Sequence, residues 1–154
     1  MALLLAGLVS VNATGNPIVN FIVKTYENFK EILFAGDGAA EIDHVYAFTE
    51  VPEGFTETER VLNDDMSFMR YENSETGAVI ELRQSVTNDA SFALDSEKSS
   101  TKALVHNGRE ITVCCSETSK LCEAFWIEGE CRMKLICSGV TNCTDLIDML
   151  DELE

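Results

Sequence analysis

The stretch that decides the fold is NGREITVCCSETSKLCEAFWIEGECRMKLICSGVTNCTDLIDMLDELE, Asn107 to Glu154. Asn107-Gly108 is the strongest short-range hairpin signal in the chain, because both residue types tolerate the positive φ of a two-residue turn. Arg109 to Cys115 then alternates as a strand does. Two more alternating runs follow on either side of Glu128-Gly129. The stretch closes on a helix with Thr141 as its N-cap and Leu146, Ile147, Met149, Leu150 and Leu153 as its apolar stripe. Three antiparallel strands and a helix folded back over them are expected here.

With Glu128-Gly129 as the turn, Ile127 pairs with Glu130, and the count back sets Trp126 opposite Cys131, Ala124 opposite Met133 and Cys122 opposite Leu135. One face is then almost wholly apolar. The other carries Glu123 opposite Lys134 and Phe125 opposite Arg132, a cross-strand ion pair and a cation–π contact. A slip of one residue would turn the charges inward, so this contrast fixes which face is buried. Ile111, Val113 and Cys115 join the inner face, with Cys114 pointing outward.

All six cysteines and the single tryptophan lie in this stretch. Cys115, Cys122, Cys137 and Cys143 gather at one corner of the expected core, and three readings compete for them. They are small buried hydrophobes, or disulfide partners, or a tetrathiolate metal site, for which no Cys-x-x-Cys knuckle is present. Among bridges, Cys137 with Cys143 is preferred because the loop is short and the helix reverses direction. Cys115 with Cys122 needs a diagonal contact.

Working outward, the polar run from Thr87 to Ser100 reads as a loop with at most a short strand near Phe92 to Leu94. Met66 to Tyr71 and Ala78 to Val86 flank a turn-rich Glu72 to Gly77 and form a hairpin. A strand from Thr56 to Leu62 follows the Pro52-Glu53-Gly54 turn, and Asp43 to Thr49 is extended. Further back, Asn16-Pro17 opens a helix that runs to about Phe34 on a stripe of Ile18, Phe21, Ile22, Tyr26, Phe29, Ile32 and Leu33, stopped by Gly36-Asp37-Gly38. The first residues hold an apolar run, Ala2 to Val11, with no basic residue before it. It reads as the outer end of a membrane helix or a signal core, the alternative being a buried strand or helix turn.

The expected fold is therefore α+β. One curved antiparallel meander of about six to seven strands packs against the N-terminal amphipathic helix and the C-terminal helix. Residues 1–15 form the leader and 16–154 a single domain. With 154 residues, 45% of them hydrophobic, there is enough apolar side chain for a real core.

Net charge is −16, from 27 acidic and 11 basic residues, which repels phosphate backbones and anionic lipid alike. Nucleic acid is excluded as a partner, and contact with a membrane is expected only through the apolar start. His44 and His106 lie far apart in the chain, and no nucleophile, metal, phosphate or dinucleotide motif is present. The acidic neighbours Asp64-Asp65 and Glu57 with Glu59 are ordinary in so acidic a chain. No catalytic residue and no cofactor are expected. Asn12 and Asn142 match the glycan acceptor pattern.

Asn20-Phe21-Ile22 with Tyr26-Glu27-Asn28-Phe29, Val51-Pro52-Glu53-Gly54-Phe55, Tyr71 before a turn and Ile80 after it, Asn107-Gly108, Trp126 and the C-terminal helix together resemble a known family. It is that of the C-terminal extracytoplasmic domains of unknown function in Gram-positive anti-sigma-factor-like membrane proteins. In such proteins a cytoplasmic segment and one membrane helix precede the domain. The resemblance implies a non-catalytic, extracytoplasmic sensing or protein-interaction domain of a membrane-anchored regulator. The other reading is a secreted or surface carrier holding an apolar ligand between sheet and helix, so the partner is an unknown protein or a small ligand.

Overall fold

The computed structural model describes the backbone of residues 6–8, 20–25, 29–35, 41–86, 90–95, 99–139 and 143–154, and the side chains of 41–86, 100–139 and 144–154. The first strands in chain order are β1 (Ala6–Leu8), β2 (Asn20–Thr25), β3 (Phe29–Ala35), β4 (Phe55–Leu62), β5 (Met66–Asn73) and β6 (Val79–Val86). They are followed by β7 (Ala90–Asp95), β8 (Ser99–His106), β9 (Arg109–Ser116), β10 (Leu121–Glu128), β11 (Cys131–Ser138) and the helix α1 (Cys143–Leu150). Most of the described chain is one open antiparallel sheet of seven strands, in the order β4-β5-β6-β11-β10-β9-β8. It is two meanders joined edge to edge, with the last strand, β11, inserted between β6 and β10.

Four shorter strands form a second sheet, β1-β2-β3-β7. The helix expected over residues 16–34 is not among the described elements. No side chain there is described, and the described backbone runs as β2 and β3, paired from Asn20 with Ala35 to Thr25 with Lys30. A short apolar run such as Phe21-Ile22-Val23 satisfies a strand as readily as a helical stripe, so periodicity alone does not separate the two. Of the apolar run at the start, only Ala6–Leu8 is described. Asn12, Thr141 and Asn142 lie outside the described residues.

Alternation builds the main sheet. Met69 and Tyr71 of β5, Ile80 and Leu82 of β6, Met133 and Leu135 of β11, Ala124 and Trp126 of β10, and Ile111 and Val113 of β9 all turn to one face and are buried. α1 packs on β9 and β10 through Leu146 and Leu150. Beside it, residues 41–50 cross the same face and place Phe48 in the core, edge-on to Tyr71 with ring centroids 5.3 Å apart. The chain end ties these two covers together. Phe48 bridges Leu153, the Ala47 and Glu154 backbones exchange hydrogen bonds of 2.9 and 3.1 Å, and Thr49 N–H donates to the Glu152 carbonyl at 2.7 Å.

The other face buries Cys114 and Phe125 but is otherwise more polar and laced with ions. Arg70 bridges Glu72 at 2.7 Å and Glu81 at 2.8 Å, Arg83 meets Glu81 at 2.7 Å, and Lys134 meets Glu123 at 2.9 Å. The expected ion pair thus forms, but the register of β10 and β11 is offset by two residues from the expected one. Trp126 lies opposite Met133, Ala124 opposite Leu135, and Phe125 opposite Lys134, whose ammonium sits 4.9 Å from the ring centroid. The cation directly across from Phe125 is therefore Lys134, and Arg132 lies opposite Ile127. The cause is the turn. Gly129 at φ 60 is the first of two central residues, Gly129-Glu130, and only that position has positive φ, as a type II′ turn requires. An offset of two keeps every side chain on its predicted face.

Asn107 (φ 50) and Gly108 (φ 79) make the expected type I′ turn, closing a regular β8–β9 hairpin from His106–Arg109 to Ser99–Ser116. Within the expected Thr87–Ser100 loop, β7 spans Ala90–Asp95 and so includes the short strand expected near Phe92 to Leu94, while β8 takes only the last two residues of that loop and runs on to His106.

Candidate functional site

The thiol corner is built by three strands. β9 and β10 are joined through Glu117-Thr118-Ser119-Lys120, where Ser119 N–H donates to Ser116 Oγ at 3.3 Å and Lys120 takes a positive φ of 50. This loop pairs Ser116 with Leu121 and therefore sets Cys115 directly opposite Cys122. The two are joined in a disulfide, with Cα atoms 4.1 Å apart. The expected diagonal contact between them is corrected to a direct cross-strand pair, because the loop has four residues and keeps the hairpin in register. The other expected bridge, Cys137 with Cys143, does not form from the Cys137 side. Cys137 is a free buried thiol, and the Cys143 side chain lies outside the described residues.

Cys137 is nonetheless part of the same constellation. It is the β11 partner of Cys122, so Tyr71, Ile80, Cys137, Cys122 and Cys115 form one row across five adjacent strands on the inner face. Sheet geometry decides which neighbour Cys122 bonds. In an antiparallel sheet, directly opposed residues are either a hydrogen-bonded pair, with Cα atoms about 5.5 Å apart, or a closer pair without such bonds, at about 4.5 Å. The 4.1 Å separation places Cys115–Cys122 in the close class. A residue on a middle strand aims both its N–H and its C=O at one neighbour, so the wider pair of Cys122 is the one with Cys137.

The Cys137 thiol donates to Met149 Sδ of α1 at 3.5 Å. Burial pushes its pKa up to about 12, so it is held as the thiol. Among the described residues no group of three or more His, Cys, Asp or Glu side chains is placed to hold a metal ion. The disulfide also leaves Cys115 and Cys122 without thiolates to offer. Cys114 and Cys131 are free and buried.

The other polar candidates hold structure together. His106 Nε2 lies 2.7 Å from Asp151 Oδ1, which also accepts from Asn107 Nδ2 at 2.7 Å, so the β8–β9 turn is tied to the residue just past α1. The His44 ring stacks edge-on against Tyr46 with centroids 4.6 Å apart, and its carbonyl accepts from the buried Gln84 amide. The two histidines thus serve different elements. Glu57 is clamped by Arg60, whose hydrogen bonds lower the Glu57 carboxyl below its usual range, and Glu59 lies opposite Arg70 across the β4–β5 pair. Asp64 and Asp65 act through their carbonyls, which accept from Ile42 and Val86 N–H at 2.6 and 3.0 Å. Arg109 and Glu128 form a partly buried ion pair beside Tyr46, whose hydroxyl pKa is raised by burial and then by the Glu128 charge.

The two edges of the main sheet differ. β4 carries an irregularity between Glu57 and Glu59, and most of its residues, Glu57, Glu59 and Arg60 among them, are exposed. Bulges and charges of this kind blunt an edge against further pairing. β8 is regular over all eight of its pairs with β9, and Lys102 is its only Lys, Arg, Asp or Glu. It also displays Val105 at 68% exposure, the most exposed of the large hydrophobic side chains described. No sequence signal separated these edges, because the polar run before Thr101 masked the start of β8.

Residues 45–153, more than half of the chain, match the family model described as Domain of unknown function (DUF4367). The chain belongs to that family. No curated protein and no solved structure matches it. Among the described residues, no helix is long and apolar enough to cross a membrane.

Proposed function

We propose that the chain is a non-catalytic extracytoplasmic domain that senses or binds a protein partner, as part of a membrane-anchored regulator of the anti-sigma-factor-like kind. The observation that carries the interaction reading is the contrast between the blunted β4 edge and the regular, weakly charged β8 edge, beyond which no strand is paired among the described residues and which presents Val105 to an added strand. The extracytoplasmic placement is supported by the Cys115–Cys122 bridge, since disulfides persist in oxidising compartments and are rare in reducing ones. The sequence resemblance supplies the regulator. The carrier reading has less behind it, because Phe48, Leu146, Leu150 and Leu153 close the described inner face.

Photo-crosslinking in the producing cells tests the interaction. A photoreactive residue at Val105 is expected to capture a discrete protein, whereas the same residue at Glu59 on the opposite edge captures none. Equal capture at both positions, or none at either, rejects the β8 edge as the interaction surface. Blocking thiols at lysis before mapping disulfides tests the compartment, and finding Cys115 and Cys122 both blocked would remove the extracytoplasmic placement.

A further inference from the structure

We propose that Cys115, Cys122 and Cys137 form a thiol–disulfide exchange site, in which the bridge passes from Cys115–Cys122 to Cys122–Cys137. The inference goes beyond the interaction reading and does not depend on what binds the β8 edge. It rests on register. Cys122 has a cysteine directly opposite it on both neighbouring strands, one bonded and one free, all on the buried face.

Three things make the arrangement competent. The central sulfur belongs to Cys122, so the Cys137 sulfur approaches it from the side away from Cys115, the line along which a thiolate displaces a leaving thiolate. The wide pair's Cα separation of about 5.5 Å lies within the span that a disulfide bridges, so neither strand has to move apart or slide. The step also balances without a co-reactant. Cys137 gives up its proton, its sulfur bonds to Cys122 Sγ as the Cys115–Cys122 bond breaks, and the departing Cys115 thiolate takes up a proton. One disulfide and one thiol remain.

The gate is α1. In the resting arrangement Cys137 donates to Met149 on that helix and is buried beneath it, which keeps its sulfur protonated and unreactive. Anything that lifts α1, including a partner that draws on its edge, wets Cys137 and starts the exchange. Exchange in turn removes the thiol that contacts Met149, so bridge position and helix seating are linked.

The test uses the full oxidised chain, without reductant. The protein is incubated with an alkylating agent over a range of pH and quenched in acid, and the labelled and bridged cysteines are assigned by tandem mass spectrometry. In the wild type, label is expected at Cys115 together with a Cys122–Cys137 bridge. Its rate should rise about tenfold per pH unit, as the Cys137 thiolate fraction does below its pKa. Cys137→Ala should abolish label at Cys115 and leave the original bridge. Cys115→Ala, reoxidised with a small disulfide, should form Cys122–Cys137. Absence of label at Cys115 at every pH in the wild type, with the original bridge intact, overturns the proposal whatever the free thiols Cys114, Cys131 and Cys137 take up. So does a folded Cys115→Ala protein whose Cys122 and Cys137 both remain alkylatable. The wild-type measurement stands even if a variant fails to fold.

Discussion

Gln84 and His44 are joined across the buried face by a 2.6 Å hydrogen bond, Gln84 Nε2 donating to the His44 carbonyl. The same amide accepts from Tyr46 N–H at 3.1 Å through Oε1, with Ser67 Oγ at 3.5 Å. One side chain on β6 thus stands in for a neighbouring strand and satisfies the His44 carbonyl and the Tyr46 N–H, which lie just before the stretch that pairs with the chain end. Gln84→Leu keeps the volume and strands both groups. It should cost about 2–4 kcal/mol in urea unfolding, more than an apolar substitution at a half-buried site.

Leu150 is 1% exposed and seats the C-terminal turn of α1 on the core. Leu150→Ala should lower stability by about 2–5 kcal/mol. Because α1 covers Cys137, the same variant should raise the alkylation rate of that thiol in the folded protein. A stability loss with unchanged thiol reactivity would mean that the helix stays seated without Leu150.

Cys122 is the sulfur common to both bridges, so Cys122→Ala should lose the cross-link whichever neighbour it uses. For the short loop between Cys115 and Cys122, chain entropy gives about 2–3 kcal/mol, read as the shift in urea midpoint between oxidised wild type and variant. Adding reductant should lower the wild type toward the variant and leave the variant where it is.

Two buried groups set a limit on the alkaline side. Burial raises the Tyr71 hydroxyl above its ordinary 10.0 and the Cys137 thiol from 9.0 to about 12. In each case the unfolded chain ionises first. The stabilisation is complete below the ordinary value and is lost as pH rises toward the folded one, by up to ~1.4 kcal/mol per pH unit per group. Stability should therefore fall from about pH 9 upward. Cys137→Ala should flatten the first part of that fall and Tyr71→Phe the part above 10.0, and equal slopes in all three proteins would refute the assignment.

Much of the sheet was legible because strand alternation and turn chemistry agree. Asn107-Gly108 gave a hairpin, and the apolar positions of β9, β10 and β11 gave the buried face. The β10–β11 register was misread by two because a Glu-Gly turn and a Gly-Glu turn are both open to this sequence. Burial cannot choose between them, since an even offset keeps the faces. That offset matters at the thiols, where it replaces Leu135 with Cys137 opposite Cys122. β8 was hidden because an edge strand needs only one apolar side, and Ser99, Ser100 and Thr101 read locally as loop. Gln84 gave no signal either, since its role depends on a segment some forty residues away in sequence.

The position of β11 has a consequence for how the chain is made. β4 to β6 and β8 to β10 are each contiguous hairpins, but the strand that joins them is the last to be synthesised. Until Cys131–Ser138 has left the ribosome, β6 and β10 are both open edges of apolar strands, the species most exposed to pairing with another chain. Their union is a long-range step that must bridge the whole interval from β6 to β11. Premature termination before residue 131 therefore yields two sticky half-sheets and not a smaller stable domain, and cells that make this protein depend on Cys131–Ser138 emerging before those edges find other partners.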